Sequence, residues 1–362
     1  MAKACLHQFL GNNHSWQVVG NNIARALLRT EYRVDLKSTN GYEYFPEDLK
    51  PNINENLDND YDLQISYTAL KNFPYYLNHG TKNRIGIWNY ETTILPPGFA
   101  KFHKYADIVC PSSQFAADIF TQNGIPKEKV VVLPHGINVE EYKNTDVYPL
   151  KTNKKTKILA NIAQPHVRKN IDGLFEAFGK AFTKTDDVCL VCKISTKKSD
   201  KIQMFDVDFW KIWNEFQKKF SQHAEVEIIT DFLPTMVPLY NAVDIVLSLT
   251  RAECFYLPGL EGMATNNIVI APRWGGQLDF MNDFNSLLID GKEIRAPKNM
   301  QYWVSSPYAV TFQPDTDDAA AKLQMAVTQK VSLLAKFAPG MQEQIKRLTW
   351  DNVVAQIIGL CK

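Results

Sequence analysis

The chain lacks an excess of charge of either sign: across 362 residues, 40 Lys+Arg stand against 39 Asp+Glu, a net charge of +1. That balance argues against a protein that coats nucleic acid through charge alone, while leaving room for a local basic patch. No apolar run reaches the roughly 18–20 residues of a membrane span. The stretch from Met1 to Leu10 has no long h-region of a signal peptide and reads as a first strand. The six cysteines (Cys5, Cys110, Cys189, Cys192, Cys254 and Cys361) are scattered. They fit buried thiols in a reducing, cytoplasmic compartment better than a disulfide framework. Cys189 and Cys192 form a CxxC, but within an apolar β-like run their side chains point to opposite faces, and no second CxxC or HxxxH follows. Two core thiols are expected there. What the chain does have is ordinary for a globular protein. Hydrophobic residues make up 45% and charged residues 22%, which excludes bulk disorder, and the length suggests about two domains.

Strand and helix patterns alternate along the chain. Strands are expected at Tyr32–Leu36, Leu63–Tyr67, Arg84–Trp88, Ile108–Cys110 and Val130–Leu133, with a helix at Gln114–Asn123 ending at Gly124. The polar run Lys151–Lys157 reads as a linker between domains, a solvated stretch before a fresh strand at Ile158–Ala163. The alternation then repeats: helix Ile171–Phe182, strand Val188–Ile194, strands Val226–Thr230 and Ile245–Leu249, and strand Ile268–Ala271. Phe209, Trp213, Phe216 and Phe220 are spaced four, three and four apart, an amphipathic helix whose aromatic stripe is core. This order implies two α/β domains, each a doubly wound parallel sheet, with ligand binding at the carboxyl ends of the strands. The expected division is 1–152, 153–342, and a C-terminal helix over 343–362 that crosses back to the first domain.

The densest chemistry lies in Arg251–Gly276. Glu253 follows a buried strand, Pro258 suits the first turn of a helix running to about Thr265, and Asn266 suits a left-handed cap. Glu261 falls in about the first turn of that helix, eight residues after Glu253. The helix N-terminus would present free N–H groups to an anion. A dipole-stabilising role accounts for Glu261 alone but not for the whole arrangement.

The run Glu253-Cys-Phe-Tyr-Leu-Pro-Gly-Leu-Glu261 resembles the signature of the retaining, family 4-like glycosyltransferases (group 1) of the GT-B fold: two glutamates separated by seven residues in a context similar to E-G-F-G-L-P-x-L-E. Both acids, Phe255, Leu257, Pro258 and Leu260 match, and Gly275-Gly276 follow in family order. Arg168-Lys169-Asn-Ile-Asp172 resembles the segment after the first strand of the donor-binding domain. Trp88–Pro96, Ala106–Ser113, Leu133–Asn138 and Leu348–Ala355 also look like family landmarks. The resemblance implies two Rossmann-like domains facing across a cleft, an acceptor-side domain first and a nucleotide-sugar domain second. It implies transfer of a sugar, hexose or pentose, from a nucleotide diphosphate sugar to a hydroxyl with retention. In that reading Lys169 contacts the donor diphosphate. Arg168 stands in for the family's arginine, whose place is taken by Gln164. Glu253 binds donor-sugar hydroxyls and Glu261 the ribose. Gly11 and Asn12, after the first strand, add N–H donors. Thr230 and Phe232 belong to a candidate base-contact loop.

Two departures bear on the donor. Where the family has glycines on either side of the phenylalanine, this chain has Cys254 and Tyr256. Glycine takes positive φ freely and tyrosine resists it. Tyr256 is therefore expected either to reshape the sugar pocket or simply to pack outward. No DxD-like pair sits at a strand end, since Asp186-Asp187 reads as a turn, so no obligatory metal or other cofactor is expected, as in the family. For a general base or acceptor-positioning group the first domain offers Glu91, then His79, with His14 and His103 behind them. The acceptor stays open among glycan, lipid-linked sugar, protein and modified nucleic acid, and peripheral membrane contact through basic stretches such as Lys151–Lys157 or Lys197–Lys201 stays open as well. Alternatives are a GT-B sugar-nucleotide epimerase or phosphorylase, which fold analogy does not separate from a transferase, and a non-catalytic sugar-nucleotide-binding subunit.

Overall fold

A computed structural model describes residues 2–9, 15–39, 41, 45–54, 60–77, 81–195, 207–297, 300 and 306–361. The chain divides into two units, the first built mainly from Met1–Asn138 and Leu348–Lys362, the second mainly from Val139–Trp303 and Pro307–Arg347.

In the first unit the chain runs β1 (Lys3–Gln8), α1 (Ser15–Leu27), β2 (Arg33–Ser38), β3 (Leu63–Tyr67), α2 (Phe73–Tyr76), β4 (Asn83–Ile87), β5 (Ile108–Cys110) and α3 (Gln114–Gln122). The sheet order is β2-β1-β3-β4-β5, every pair parallel. Its strands are buried on both faces, as parallel strands covered by helices must be. Ser113 caps α3 by accepting from Ala116 N, and Gly124, at φ +94°, turns the chain out of it. Residues 130–133 run beside β5 without becoming a strand: Val131 N donates to Val109 O and Leu133 N to Pro111 O, but Pro111 has no N–H to return a bond.

The second unit runs β6 (Thr156–Ala163), α4 (Ile171–Ala181), β7 (Val188–Ile194), α5 (Phe209–Lys219), β8 (Glu225–Ile229), α6 (Val237–Asn241), β9 (Ile245–Leu247), α7 (Leu257–Ala264), β10 (Ile268–Pro272), β11 (Leu287–Ile289), β12 (Gly291–Arg295), β13 (Val310–Pro314), α8 (Thr316–Thr328) and α9 (Lys330–Arg347). Six parallel strands are ordered β11-β10-β9-β6-β7-β8, while β12 and β13 form a separate antiparallel pair. The chain winds outward one way from β6 to β8 and the other way from β9 to β11. The order therefore reverses between β6 and β9, the point where such sheets bind ligands. The α5 stripe is core: Phe216 stacks on Phe175 of α4 at 4.8 Å. Cys189 and Cys192 are buried free thiols on β7.

The last helix, α10 (Trp350–Gly359), belongs to the first unit. Thr349 caps it, Ile137 N donates to Leu348 O, and Gln356 Nε2 donates to Val132 O. The expected boundary at 152/153 moves to 138/139 for a physical reason. Tyr148 N bonds Pro238 O, Asn241 Nδ2 bonds the carbonyls of Asn144 and Asp146, and the N–H groups of Lys151 and Thr152 are taken by Glu227. The polar run that read as a linker is seated on the second unit. Among the described residues, no helix is long and apolar enough to cross a membrane.

Candidate functional site

The site is assembled at the switch point of the second sheet, where β6 and β9 lie side by side with Ile158 against Ile245 and Leu159 against Val246. After β6 the chain makes a tight turn, Val167–Lys169, capped by His166, whose Nδ1 accepts from Arg168 N at 2.9 Å. Burial and the neighbouring Arg168 and Lys169 charges pull the His166 pKa down to about 3, so the ring is neutral and Nδ1 is free to accept. Asn170 then takes a left-handed conformation (φ +51°) and starts α4.

The loop after β9 is stitched to this turn. Arg251 N and Thr250 Oγ1 both donate to Arg168 O, and Arg251 Nη1 donates to Val167 O at 2.7 Å. On its other side Gly276 N donates to Glu253 O. Gly275 has φ +98°, and a Cβ there would lie 2.8 Å from the same carbonyl, so the close approach requires glycine.

These two loops bring Glu253, Arg168 and Lys169 together. Lys169 Nζ lies 2.6 Å from Glu253 Oε1 and Arg168 Nη1 lies 2.8 Å from Oε2, with Arg168 Nη1 also donating to Ala252 O. The three side chains are only 12–20% exposed. Burial alone would raise the Glu253 pKa, but the two cations and their hydrogen bonds outweigh it and hold the carboxyl down at about 2. Arg168 thus has a place in the cluster.

Glu261 is the fifth residue of α7, just past its first turn. Tyr240 Oη, at the end of α6, donates to Glu261 Oε2 at 2.6 Å, and the Tyr142 hydroxyl lies near enough to favour the charged form of this carboxylate. Burial raises the Glu261 pKa and Glu141 adds to the rise; the two phenols act in the opposite direction. Neither tyrosine was singled out from the sequence. A single Tyr in the short stretch Val237-Pro-Leu-Tyr240 carries no periodic signal, and Tyr142 lies in a turn about 120 residues from its partner.

Tyr256 does not pack outward. It does adopt positive φ (+75°), as the residue preceding α7, and its side chain packs inward at 5% exposure. Its ring lies over Gly259, where a Cβ would come within 2.6 Å of Cδ1. Phe255 is buried against Phe280 at 5.0 Å, Cys254 is buried, and Leu257 opens α7 half-buried. Asn266, at φ +60°, closes the helix.

Thr230 and Phe232 follow β8, two strands from β6, and both are exposed, Phe232 at 58%. Glu91 is half-buried in the first unit after β4. His103 lies in the same unit, its pKa lowered by burial. Gly11, Asn12, His14, His79 and Lys197–Lys201 fall outside the described residues. Among the described residues no three His, Cys, Asp or Glu side chains are grouped so as to hold a metal ion.

Two parallel α/β units, with acids and bases converging at the switch point of the second, define a GT-B architecture, and known structures share it. The chain aligns over its whole length with a glycosyltransferase from Rickettsia africae ESF-5 (TM-score 0.71, 14% identity, 98% of that chain covered). It aligns over 99% with Anabaena HepE in complex with UDP-glucose (TM-score 0.71, 15% identity, 99% covered) and with sucrose-phosphate synthase from Thermosynechococcus elongatus (TM-score 0.68, 14% identity, 98% covered). In sequence it is 29% identical over 126 residues to a D-inositol 3-phosphate glycosyltransferase of Corynebacterium urealyticum. That match takes in 34% of this chain and about a quarter (24%) of the curated relative's length. No family model matches. The fold is that of the GT-B glycosyltransferases.

Proposed function

We propose that this protein is a retaining glycosyltransferase that moves a sugar from a nucleoside diphosphate sugar to a hydroxyl acceptor. The observation that carries the proposal is the cluster at the switch point: Glu253 between Lys169 and Arg168, with Glu261 eight residues on at the next helix. The second unit is the donor domain in this reading, and the first unit with α10 is the acceptor side.

The departing diphosphate is the main charge to stabilise. Two cations share one carboxylate here, so the cluster keeps a positive surplus for phosphate oxygens; the Arg168 guanidinium is suited to paired contacts, the Lys169 ammonium to a point charge. Glu253 stays ionised at any physiological pH and accepts hydrogen bonds from sugar hydroxyls, which fixes the anomeric carbon relative to the leaving group. Glu261 accepts from the ribose hydroxyls, and the exposed Phe232 offers a face for the base. No step in this scheme is assigned to a metal ion. Glu91 remains the first candidate for orienting the acceptor. UDP-glucose is the first donor to try, because HepE was solved with it.

The test is incubation with UDP-glucose and other sugar nucleotides, followed by NMR of the released or transferred sugar at early times. Release of the sugar with its α configuration kept, lost in Glu253→Gln, supports the reading. Inversion would remove retention, and an isomerised but intact nucleotide sugar would make the protein an epimerase.

A further inference from the structure

We infer that Tyr240, with Tyr142 beside it, is a positioning residue that orients the Glu261 carboxylate toward the ribose diol. This rests on the proposed donor site and deepens it. Glu261 sits at the meeting of three elements. From α6, Tyr240 Oη donates to Oε2 at 2.6 Å, and Tyr240 is itself fully buried, with Asn161 Nδ2 of β6 at 3.4 Å from its hydroxyl. From the turn Glu141–Lys143, the Tyr142 hydroxyl lies near enough to Glu261 for each to shift the other's ionisation. From the start of α7 itself, Tyr256 lies near enough to feel the charge of Glu261. Among the described residues the Glu141 charge also acts on Glu261, and it is of like sign.

A carboxylate has about four lone-pair sites. The Tyr240 phenol occupies one of them on Oε2 and holds the rotamer, leaving the remaining lone pairs on a fixed carboxylate for two adjacent hydroxyls. Both phenols stay protonated, because burial and the Glu261 charge push their own pKa values up, so they act on it only as neutral groups. Burial opposes ionisation of Glu261 and the two phenols favour it. An ionised Glu261 accepts from a diol; a protonated one spends one oxygen as a donor. Ribose recognition therefore weakens as pH falls through the raised Glu261 pKa. Removing a phenol hydroxyl raises that pKa further and moves the weakening to higher pH.

The experiment is titration of the full chain with UDP and with 2′,3′-dideoxyuridine diphosphate between pH 5 and 8. The ratio of the two Kd values is the readout, because diphosphate ionisation cancels in it. Wild type is expected to favour UDP about tenfold near neutrality, with the ratio falling at acid pH. Glu261→Gln should bring the ratio near one. Tyr240→Phe and Tyr142→Phe should each lower it about three- to tenfold and shift its pH midpoint upward. A tyrosine with a merely structural role would weaken both ligands equally and leave the midpoint alone, which overturns the inference, as would a midpoint unchanged in both variants. Should Tyr240→Phe fail to fold, Tyr142→Phe carries the test. If Glu261→Gln discriminates as wild type does, or wild type binds neither nucleotide, the ribose reading itself falls and the inference with it. If Glu261→Gln loses discrimination and both phenylalanine variants keep it, only the inference falls.

Discussion

At the scale of single residues, the account turns on Glu253. Its folded pKa of about 2 lies below the ordinary carboxyl value of 4.5, so its ionisation stabilises the fold above pH 4.5 and that stabilisation is lost as pH falls towards 2. At about 1.4 kcal/mol per pKa unit this is on the order of 3 kcal/mol. Glu253→Gln should therefore destabilise the protein at pH 7, with the gap to wild type closing as urea unfolding is repeated from pH 5 towards 3; a gap independent of pH would show that the ion pairs are not its source. Tyr256 sets two effects against each other. Its left-handed backbone costs about 1–2 kcal/mol, while deleting a buried aromatic ring costs about 3–5 kcal/mol. Burial wins, so Tyr256→Gly should lose about 2 kcal/mol in denaturant unfolding rather than gain stability. The sequence exposed the acids and the basic pair because each sits at a strand end with turn residues around it. It hid the backbone of Tyr256, since a tyrosine's identity argues against positive φ and the buried ring compensates.

At the scale of elements, periodic pattern was the legible signal. The α5 aromatic stripe, the Ser113 and Gly124 ends of α3, and the Pro258 to Asn266 limits of α7 all follow from side-chain period and cap chemistry. The segment 130–133 was misleading because four β-prone residues in a row say nothing about whether the neighbouring strand can return hydrogen bonds; Pro111 cannot. The linker reading of Lys151–Lys157 failed similarly, since its backbone N–H groups are claimed by acids remote in sequence, Glu227 and Asp187. α10 supplies two tests. Thr349 Oγ1 accepts from Asn352 N at its first turn, and Thr349→Ala should cost about 1 kcal/mol in chemical denaturation. Gly136 leaves no room for a Cβ, which would stand 2.5 Å from Trp350 N, a backbone atom that cannot rotate away. Gly136→Ala should cost about 1–3 kcal/mol and, with Thr349→Ala, mark α10 as part of the first unit's stability; a neutral Gly136→Ala would mean the helix shifts freely.

At the scale of the whole molecule, near-zero net charge concealed local asymmetry. The cations that matter, Arg168 and Lys169, are half-buried against a carboxylate, and composition does not register them. Strand order likewise escapes the sequence: alternation specifies parallel sheets, but only the fold places β6 beside β9 and so joins residues 168–169 to residue 253. That juxtaposition is what makes the second unit a candidate donor domain. Its most direct test is calorimetric titration of the intact chain and of Lys169→Ala with UDP. Saturable binding by wild type, weakened at least tenfold in a Lys169→Ala variant that still melts cooperatively, is the expected result. Equal affinity in the two proteins, or no saturable binding of UDP, GDP, ADP, CDP or dTDP by wild type, would contradict the account.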